Sequence, residues 1–386
     1  MKKQQIIFKG SGRITTAAFI KNKNMRYGQI RFKGGGRINN VRITGLTEEG
    51  GGGEESGEYK DEECLGFTAV DGDVTVRLQN IGGNTPIVYY KREGQDWTLW
   101  DYSELNITEG ETIRFYGENN LQFSKTSNSY SKFIMSGIGK IEASGECNSL
   151  LSKEKTKVVG SFCFYSLFNS CSNLITAPKL SSTILENYSY SQMFIRTSIT
   201  VAPKLPAIVL GSYCYSSMFA DTKLIETPNL PAPVVNYRSY ANMFESCKLL
   251  VKVVELPATS ISYGSYLSMF SGCTALTTVP NKLPAITLND YCYNNMFKNC
   301  VSLITAPELP ALLLMNYCYD SMFDGCINLN YIKAMFITND SPYGYTRNWL
   351  KNVAATGTFV KNAAATWEGS GANGIPTGWT VETANE

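Results

Sequence analysis

One motif, repeated along the carboxyl-terminal half of the chain, decides the fold: residues 291–300 read YCYNNMFKNC, followed by Leu303 and by the triplet Leu309-Pro310-Ala311. Its anchor, leucine or methionine followed by phenylalanine, recurs seven times, with successive phenylalanines 26, 25, 25, 26, 27 and 26 residues apart. The anchors are Leu167-Phe168, Met193-Phe194, Met218-Phe219, Met243-Phe244, Met269-Phe270, Met296-Phe297 and Met322-Phe323. An aromatic residue lies three positions before each anchor, and this i, i+3, i+4 spacing predicts a helical turn. A period of about 20–29 residues with one strand and one helical turn predicts an α/β leucine-rich-repeat solenoid.

Composition divides the 386-residue chain into several predicted domains. Residues 1–47 are predicted to be a small basic β module, and residues 48–63 an acidic, glycine-rich linker that includes the flexible run Gly50 to Gly53. Short apolar runs separated by turn residues predict a β-sandwich-like domain at 64–150. The solenoid, with seven repeats of about 26 residues, is assigned to 151–330. The segment 331–386 loses the period and is predicted to be a carboxyl-terminal cap.

The basic module contains a repeat of its own: FKGSGRI (residues 8–14) recurs 24 residues later as FKGGGRI. Each copy predicts a strand-turn-strand unit. The module carries eleven Lys and Arg and no acid, whereas residues 48–63 carry eight acids and one lysine. The positive electrostatic potential of residues 1–47 favours an acidic partner, either a protein or a nucleic acid. Few aromatic residues lie among the basic ones, so we expect a protein partner. The predicted anchor residues are Lys9, Arg13, Arg31, Lys33 and Arg37.

Nine of the eleven cysteines fall in two columns of the repeat, four residues before and four residues after the first anchor residue. In both columns cysteine alternates with serine or threonine, which favours small, buried, reduced thiols. Disulfides would leave the cysteines of some repeats without a partner. The sequence contains no C-x-x-C pair, so the cysteine spacing does not indicate a zinc site.

The composition argues against an enzyme. The chain has no histidine, which removes Ser-His-Asp and Cys-His catalysis and every histidine-ligated metal site. No phosphate-binding glycine motif is present, and no pair of acids stands out as in a glycosidase. We therefore predict neither catalysis nor a cofactor.

Candidate binding residues are aromatic. Four tyrosines lie five residues before the first anchor residue of their repeats: Tyr188, Tyr213, Tyr291 and Tyr317. They are predicted either to bind a ligand or to stack on one another between repeats. Trp97 and Trp100 leave a similar choice between sugar stacking and packing in the sandwich core.

The repeat, with its apolar-Phe pair, cysteine, leucine and Leu-Pro-Ala triplet, resembles the BspA-like leucine-rich repeats of bacterial surface proteins. The variant with Tyr-Cys-Tyr is similar to surface proteins of gut anaerobes and to virion proteins of their tailed phages, including crAss-like phages. The resemblance covers residues 64–386 and implies a scaffold for display, with no shared active site.

Four function classes follow from these patterns. The first is a virion fibre or decoration protein at the virion surface, docked on other virion proteins through residues 1–47, forming a homo-oligomer, and binding a host surface protein or glycan through the solenoid. The amino terminus lacks the apolar core of a signal peptide, which suits release by lysis. The second is a bacterial cell-surface adhesin. The third, an enzyme, and the fourth, a nucleic-acid-binding protein that acts through residues 1–47, are disfavoured. No apolar run reaches about 18 residues, so no membrane insertion is expected.

Overall fold

The structure is a computed structural model that describes residues 57–339, 344–367 and 369–384 in full, and the backbone of four short strands within residues 7–44. The chain divides into two compact units, Met1–Glu55 and Ser56–Glu386. The second unit therefore contains both the region predicted to be a sandwich and the repeats.

The first unit carries one strand pattern twice. Strands β1 (Ile7–Lys9) and β3 (Arg31–Lys33) pair in parallel, and so do β2 (Ala17–Ile20) and β4 (Val41–Thr44). Each residue lies opposite the residue 24 positions later, which is the period of the sequence repeat. The two copies thus align like strand with like strand, because identical segments match best in register.

Two sheets follow in the second unit, packed through aromatic residues. Their strands are β5 (Leu65–Val70), β6 (Val74–Ile81), β7 (Val88–Arg92), β8 (Thr98–Leu99), β9 (Leu105–Ile107), β10 (Thr112–Gly117), β11 (Tyr130–Gly137) and β12 (Lys140–Ser144). One sheet has the antiparallel order β12-β5-β10-β7-β8 and the other β11-β6-β9. Phe67 of the first sheet contacts Phe133 of the second, with ring centroids 4.9 Å apart, and Trp100 is buried beside them. Core packing therefore accounts for Trp100.

The acidic segment before β5 is folded onto this sandwich from residue 57. A 3₁₀-helix at Asp61–Glu63 places the Asp61 carboxylate 2.9 Å from both Lys91 Nζ and Trp97 Nε1. Glu63 pairs with Lys155 at 3.2 Å. The predicted linker at 48–63 therefore ends earlier than expected, since its last acids bind basic residues of the compact unit. The predicted flexible run Gly50 to Gly53 lies outside the described residues.

The repeats contain no α-helix in the fully described ranges, so the α/β prediction is wrong. Each repeat instead carries a nine-residue run of β-turns, the turn ribbon, exemplified by residues 188–196. In it, alternate N–H groups donate to the next turn of the solenoid: the N–H of Tyr190 reaches the carbonyl of Cys214 at 2.9 Å. The intervening groups close β-turns, as where Met193 donates to Tyr190 at 3.2 Å.

Every fourth residue of the ribbon has a left-handed backbone, with φ of 58° at Tyr188, 59° at Gln192 and 58° at Arg196. A non-glycine residue in this conformation costs about 1–2 kcal/mol, which the hydrogen bonds between turns offset. The ribbon buries positions i, i+3, i+4 and i+7, as one face of an α-helix does. The apolar spacing therefore suits both structures, and this is why the helix was predicted.

Short parallel strands join successive turns on another side of the solenoid. They are β13 (Val158–Val159), β14 (Leu174–Thr176), β15 (Ile184–Leu185), β16 (Val209–Leu210), β17 (Val234–Val235) and β18 (Ser260–Ile261). β13 pairs with β15 and β15 with β16, whereas β14 extends the sandwich by pairing with β12. The sheet of the sandwich is thus continuous with the first repeat.

Two stacks of buried rings form the core. The seven anchor phenylalanines lie 5.4–5.6 Å apart between centroids, with ring planes within 15° of parallel. The second stack comprises Phe164, Tyr190, Tyr215, Tyr240, Tyr266, Tyr293 and Tyr319. The first stack continues into the sandwich, where Phe133 stacks on Phe168 at 5.5 Å. The sandwich therefore covers the first turn, and both regions share one core.

The solenoid has eight turns, one more than predicted. The N–H of Phe323 donates to the carbonyl of Trp349 at 2.9 Å, so Trp349-Leu350 takes the place of the Met-Phe anchor. Left-handed Asn348 and Asn352 repeat the ribbon backbone. The segment 331–386 therefore begins with a further turn, which the sequence conceals because tryptophan and leucine replace the anchor residues.

Three parallel strands flank that turn in the sequence, one before it and two after it. β19 (Tyr331–Ala334), β20 (Thr358–Lys361) and β21 (Thr380–Thr383) pair side by side. Trp367 stacks on Phe336 at 4.7 Å and donates its indole N–H to the Phe336 carbonyl. These aromatic side chains cover the end of the ring stacks, as terminal units of a solenoid must.

All eleven cysteines are buried, unpaired thiols, in agreement with the column argument. In the column after the anchor, the thiol donates to a carbonyl of the preceding turn: Cys247 to Phe219 at 3.0 Å and Cys300 to Phe270 at 3.2 Å. Where threonine takes this position, the hydroxyl of Thr222 donates within its own turn, to the carbonyl of Phe219 at 2.8 Å. This position of the repeat is therefore occupied by a small side chain that carries one hydrogen-bond donor.

Alkylation of the native chain by iodoacetamide at pH 8 should label almost none of these thiols. Burial raises the pKa of Cys64 and Cys247 to about 11, and the thiolate is the nucleophile. After denaturation, mass spectrometry should find eleven labelled cysteines. Four disulfides among the repeat cysteines would contradict the column argument.

Candidate binding surface

A partly exposed row of aromatic rings, the outer ladder, runs along the outside of the turn ribbons. Its members are Phe162, Tyr188, Tyr213, Tyr237, Tyr263, Tyr291 and Tyr317. Neighbouring ring centroids are 4.5–5.4 Å apart, and each member keeps part of its surface exposed. All four predicted binding tyrosines belong to the ladder, so the solenoid brings them into one row.

The sequence prediction missed Tyr237 and Tyr263, which belong to the same row. In their turns Arg238 and Gly264 occupy the left-handed position, with φ of 51° and 59°, and the tyrosine stands one residue earlier. The signal that could have found them is an aromatic residue within one position of the column. A strict column search excludes such a shift.

The ladder is mostly a face-to-face stack. The rings of Tyr188 and Tyr213 are 4.6 Å apart and within 9° of parallel, so each covers a face of the other. Stacking between repeats, one of the two predicted roles, therefore describes most of the row. At two steps the planes are tilted: 56° between Tyr213 and Tyr237, and 41° between Tyr263 and Tyr291. Parallel stacking of the ladder is therefore interrupted at these two steps.

Two arginines lie over the ladder and differ in their partners. The Arg238 guanidinium carbon lies 5.9 and 5.6 Å from the ring centroids of Tyr237 and Tyr263, within cation–π range. Arg347 lies 5.4 Å from the Tyr317 ring and donates through Nε and Nη2 to the buried Asp320 carboxylate, at 3.1 and 2.6 Å. The hydrogen bond to Asp320 raises the pKa of Arg347.

An open groove of about 470 Å³ lies on another part of the solenoid, beside Thr305, Tyr331 and Glu308. Glu308 is the one carboxylate of its lining, and Lys282 and Lys333 pair with it at 3.0 Å each. Partial burial raises the pKa of Glu308, but the hydrogen bonds to both lysines outweigh burial and hold it below its usual range. A lone, ionised carboxylate of this kind lacks the partner that acid–base catalysis of glycoside cleavage requires.

Other reactive groups are enclosed in the core. The hydroxyls of Tyr190, Tyr240, Tyr293 and Tyr319 are buried with no hydrogen-bond partner in the described part of the chain. Burial raises the pKa of each well above its ordinary value, so these phenols stay neutral. In the same described ranges, no three His, Cys, Asp or Glu side chains are grouped to hold a metal ion.

The predicted anchor residues fall in the first unit. Lys9 ends β1, and Arg31 and Lys33 bound β3, with Lys9 opposite Lys33 in the parallel register. Arg13 and Arg37 lie outside the described residues. The repeat thus places Lys9 and Lys33 opposite each other on paired strands, whereas Arg31 lies opposite Ile7. The role of these residues in docking stays a prediction.

Comparison with protein-family models, with curated proteins and with solved structures gives no match. The geometry alone therefore defines the class: a repeat protein in which an eight-turn β-solenoid is continuous with a two-sheet sandwich. As for membrane spans, the residues that the structure describes include no helix with the length and hydropathy to cross a bilayer.

Proposed function

We propose that this chain is a non-enzymatic structural protein of a phage virion: a head fibre, a decoration protein or a tail fibre. In this proposal residues 1–47 dock on other virion proteins, and the chain assembles as a homo-oligomer. The solenoid is displayed at the virion surface and adheres to glycans or proteins of the host surface or mucosa. The resemblance of the repeat to BspA-like arrays of gut bacteria and their phages motivates this choice.

The outer ladder is the observation that carries the adhesion role. Seven rings from seven successive turns stand at a spacing of 4.5–5.4 Å on one side of the solenoid. Each ribbon is held to the next by about five backbone hydrogen bonds, so the row is pre-organised. Weak contacts to a repetitive ligand then add up, because every contact after the first is intramolecular.

The state of the reactive groups supports a non-enzymatic role. The chain has no histidine, and its thiols are buried with raised pKa values. The Glu308 carboxylate, which lines the open groove, is held by two lysines. A surface that binds through stacking and hydrogen bonding needs none of these groups to titrate near neutral pH.

The division of the chain supports docking through the amino-terminal module. Met1–Glu55 and Ser56–Glu386 are separate compact units, and all eleven basic residues of 1–47 lie in the first. Attachment to an acidic surface would then weaken with added salt, because exposed charges are screened over about 8 Å at physiological ionic strength. Neither nucleic acid nor a membrane is part of this proposal.

Deletion of residues 1–47 tests the docking role. The remaining chain should keep its circular dichroism spectrum and melting temperature, because its core lies wholly within the second unit. It should be absent from purified particles, as measured by mass spectrometry. A full-length control with Lys9, Arg13, Arg31, Lys33 and Arg37 changed to glutamine should show reduced, salt-sensitive incorporation.

Normal incorporation of the truncated chain would refute the anchor assignment. If the full-length chain were found in the host envelope fraction and not in particles, the protein would be a bacterial cell-surface leucine-rich-repeat adhesin, the alternative proposal. Both alternatives use the same display surface and differ in where the first unit is attached.

A further inference from the structure

Arg238 is the ladder cation without an acidic partner. Its guanidinium makes no hydrogen bond and no ion pair with any described residue. Its Nε is buried without a hydrogen-bond partner, whereas the two terminal nitrogens keep some solvent-accessible surface. A charged planar donor is therefore held in place by two rings with its outer edge unused.

Arg347 is the contrasting case, a ladder arginine that has an acidic partner. It also lies over a ladder ring, but the Asp320 carboxylate, which is 2% exposed, neutralises it through two hydrogen bonds. Among the described residues, no carboxylate pairs with Arg238 in this way. The two positions differ in the feature that a binding site for an anion requires, which is donor capacity left free.

The ladder is also irregular on both sides of Arg238. The steps from Tyr213 to Tyr237 and from Tyr263 to Tyr291 are tilted by 56° and 41°, whereas Tyr237 and Tyr263 are parallel within 7°. Tyr237 is 39% exposed. Interrupted stacking and a partly exposed tyrosine thus lie within one turn of an unpaired guanidinium, and in the described ladder this coincidence occurs around Arg238.

We propose that Arg238, with Tyr213, Tyr237 and Tyr263, forms a binding site for an acidic sugar, whose carboxylate or sulfate accepts hydrogen bonds from the terminal guanidinium nitrogens. The apolar C–H face of the sugar ring packs on the exposed part of the Tyr237 ring, beside the tilted step. The two tyrosines under the guanidinium hold it in plane, so little side-chain entropy is lost on binding. This inference deepens the proposed adhesion function by naming the ligand class, and it rests on that function only for its biological use.

Binding to the purified full-length chain should be measured by isothermal titration with four probes: oligogalacturonate, a dextran sulfate oligomer, neutral maltohexaose and poly-L-glutamate. The wild-type chain should bind at least one of the two acidic sugars and should not bind maltohexaose. Preference for oligogalacturonate would identify a carboxylate as the ligand group, and preference for dextran sulfate would identify a sulfate.

Arg238→Gln should weaken that binding by about tenfold or more, the usual effect of losing hydrogen bonds to a charged group. Arg196→Gln is the matched control: it removes the same charge from an arginine that is 66% exposed and 3.9 Å from Asp221, and it should change affinity by less than about twofold. Arg238→Lys, which keeps the charge and loses the planar fork, should give an intermediate affinity. Melting temperatures check that each variant is folded.

Absence of binding to both acidic sugars, an equal loss in the Arg196 variant, or tighter binding of poly-L-glutamate would overturn the site. The measurement is independent of assembly. A chain that binds acidic sugar and is missing from particles leaves the Arg238 site standing and refutes the virion role.

Discussion

Replacing Phe270 by alanine should lower the free energy of unfolding by about 3–5 kcal/mol, the range for emptying a buried phenylalanine site. Phe270 has no exposed surface, and its ring lies 5.6 Å from those of both Phe244 and Phe297. The substitution removes apolar burial and two ring contacts at once, and close packing leaves little room for relaxation. Urea unfolding followed by circular dichroism measures the loss.

The matched control is Ile286→Ala in the neighbouring turn, where the side chain is 68% exposed. This change should cost less than about 0.5 kcal/mol, as surface substitutions do. If Phe270→Ala lowered the free energy of unfolding by less than about 1 kcal/mol, the buried ring of Phe270 would not stabilise the core as expected.

Raising the pH from 9 to 12 should unfold the chain cooperatively. Burial raises the pKa of Cys64 and Cys247 from 9.0 to about 11, and those of Cys163 and Cys171 to about 12. The native pKa values lie above the unfolded ones, so the unfolded chain releases protons first as the pH rises. The contribution of these neutral thiols to the free energy of unfolding is therefore fully present below about pH 8. It is lost as the pH rises from 9 through the pKa values of the native thiols.

A pKa difference of two corresponds to about 2.7 kcal/mol for one fully buried cysteine, once the pH exceeds both values. Cys247→Thr tests this contribution, because Thr222 occupies the same column and forms a hydrogen bond to Phe219. The variant should match the wild type near pH 7 and exceed it in stability at pH 11. A difference that stayed constant with pH would show that thiol ionisation does not drive the transition.

The sequence predicted the solenoid because burial repeats with the period of the chain. Phe270, Cys273 and their equivalents had to lie in columns, whatever the local backbone, since stacked turns align like residues. The column pattern could not predict whether the repeat forms an α-helix or the turn ribbon. An α-helix and the turn ribbon bury the same positions, and they differ in whether N–H groups such as that of Tyr190 bond within a turn or to the next one.

The sequence likewise predicted only some of the residues of the candidate binding surface. Tyr188 and Tyr213 follow the column and were found. Tyr237 stands one residue before the column, where the ring still reaches the row because Arg238 takes the left-handed position. The unpaired state of Arg238 depends on which side chains surround it in space, and no pattern in the sequence reports that. The eighth turn was concealed for a related reason, since Trp349 fills the place of an anchor residue without resembling it.

The hydrogen bonds between ribbons also determine how the solenoid responds to mechanical load. They connect each turn to the next, for example from Tyr190 to Cys214 and from Tyr215 to Ser239, so successive junctions lie in series along the stack. Tension applied to the two ends is then transmitted equally through every junction, and the weakest one sets the force at which the stack opens. Adding turns would lengthen the reach of such a protein without strengthening it. Resistance to shear at a surface would therefore depend on the poorest junction and not on the number of repeats.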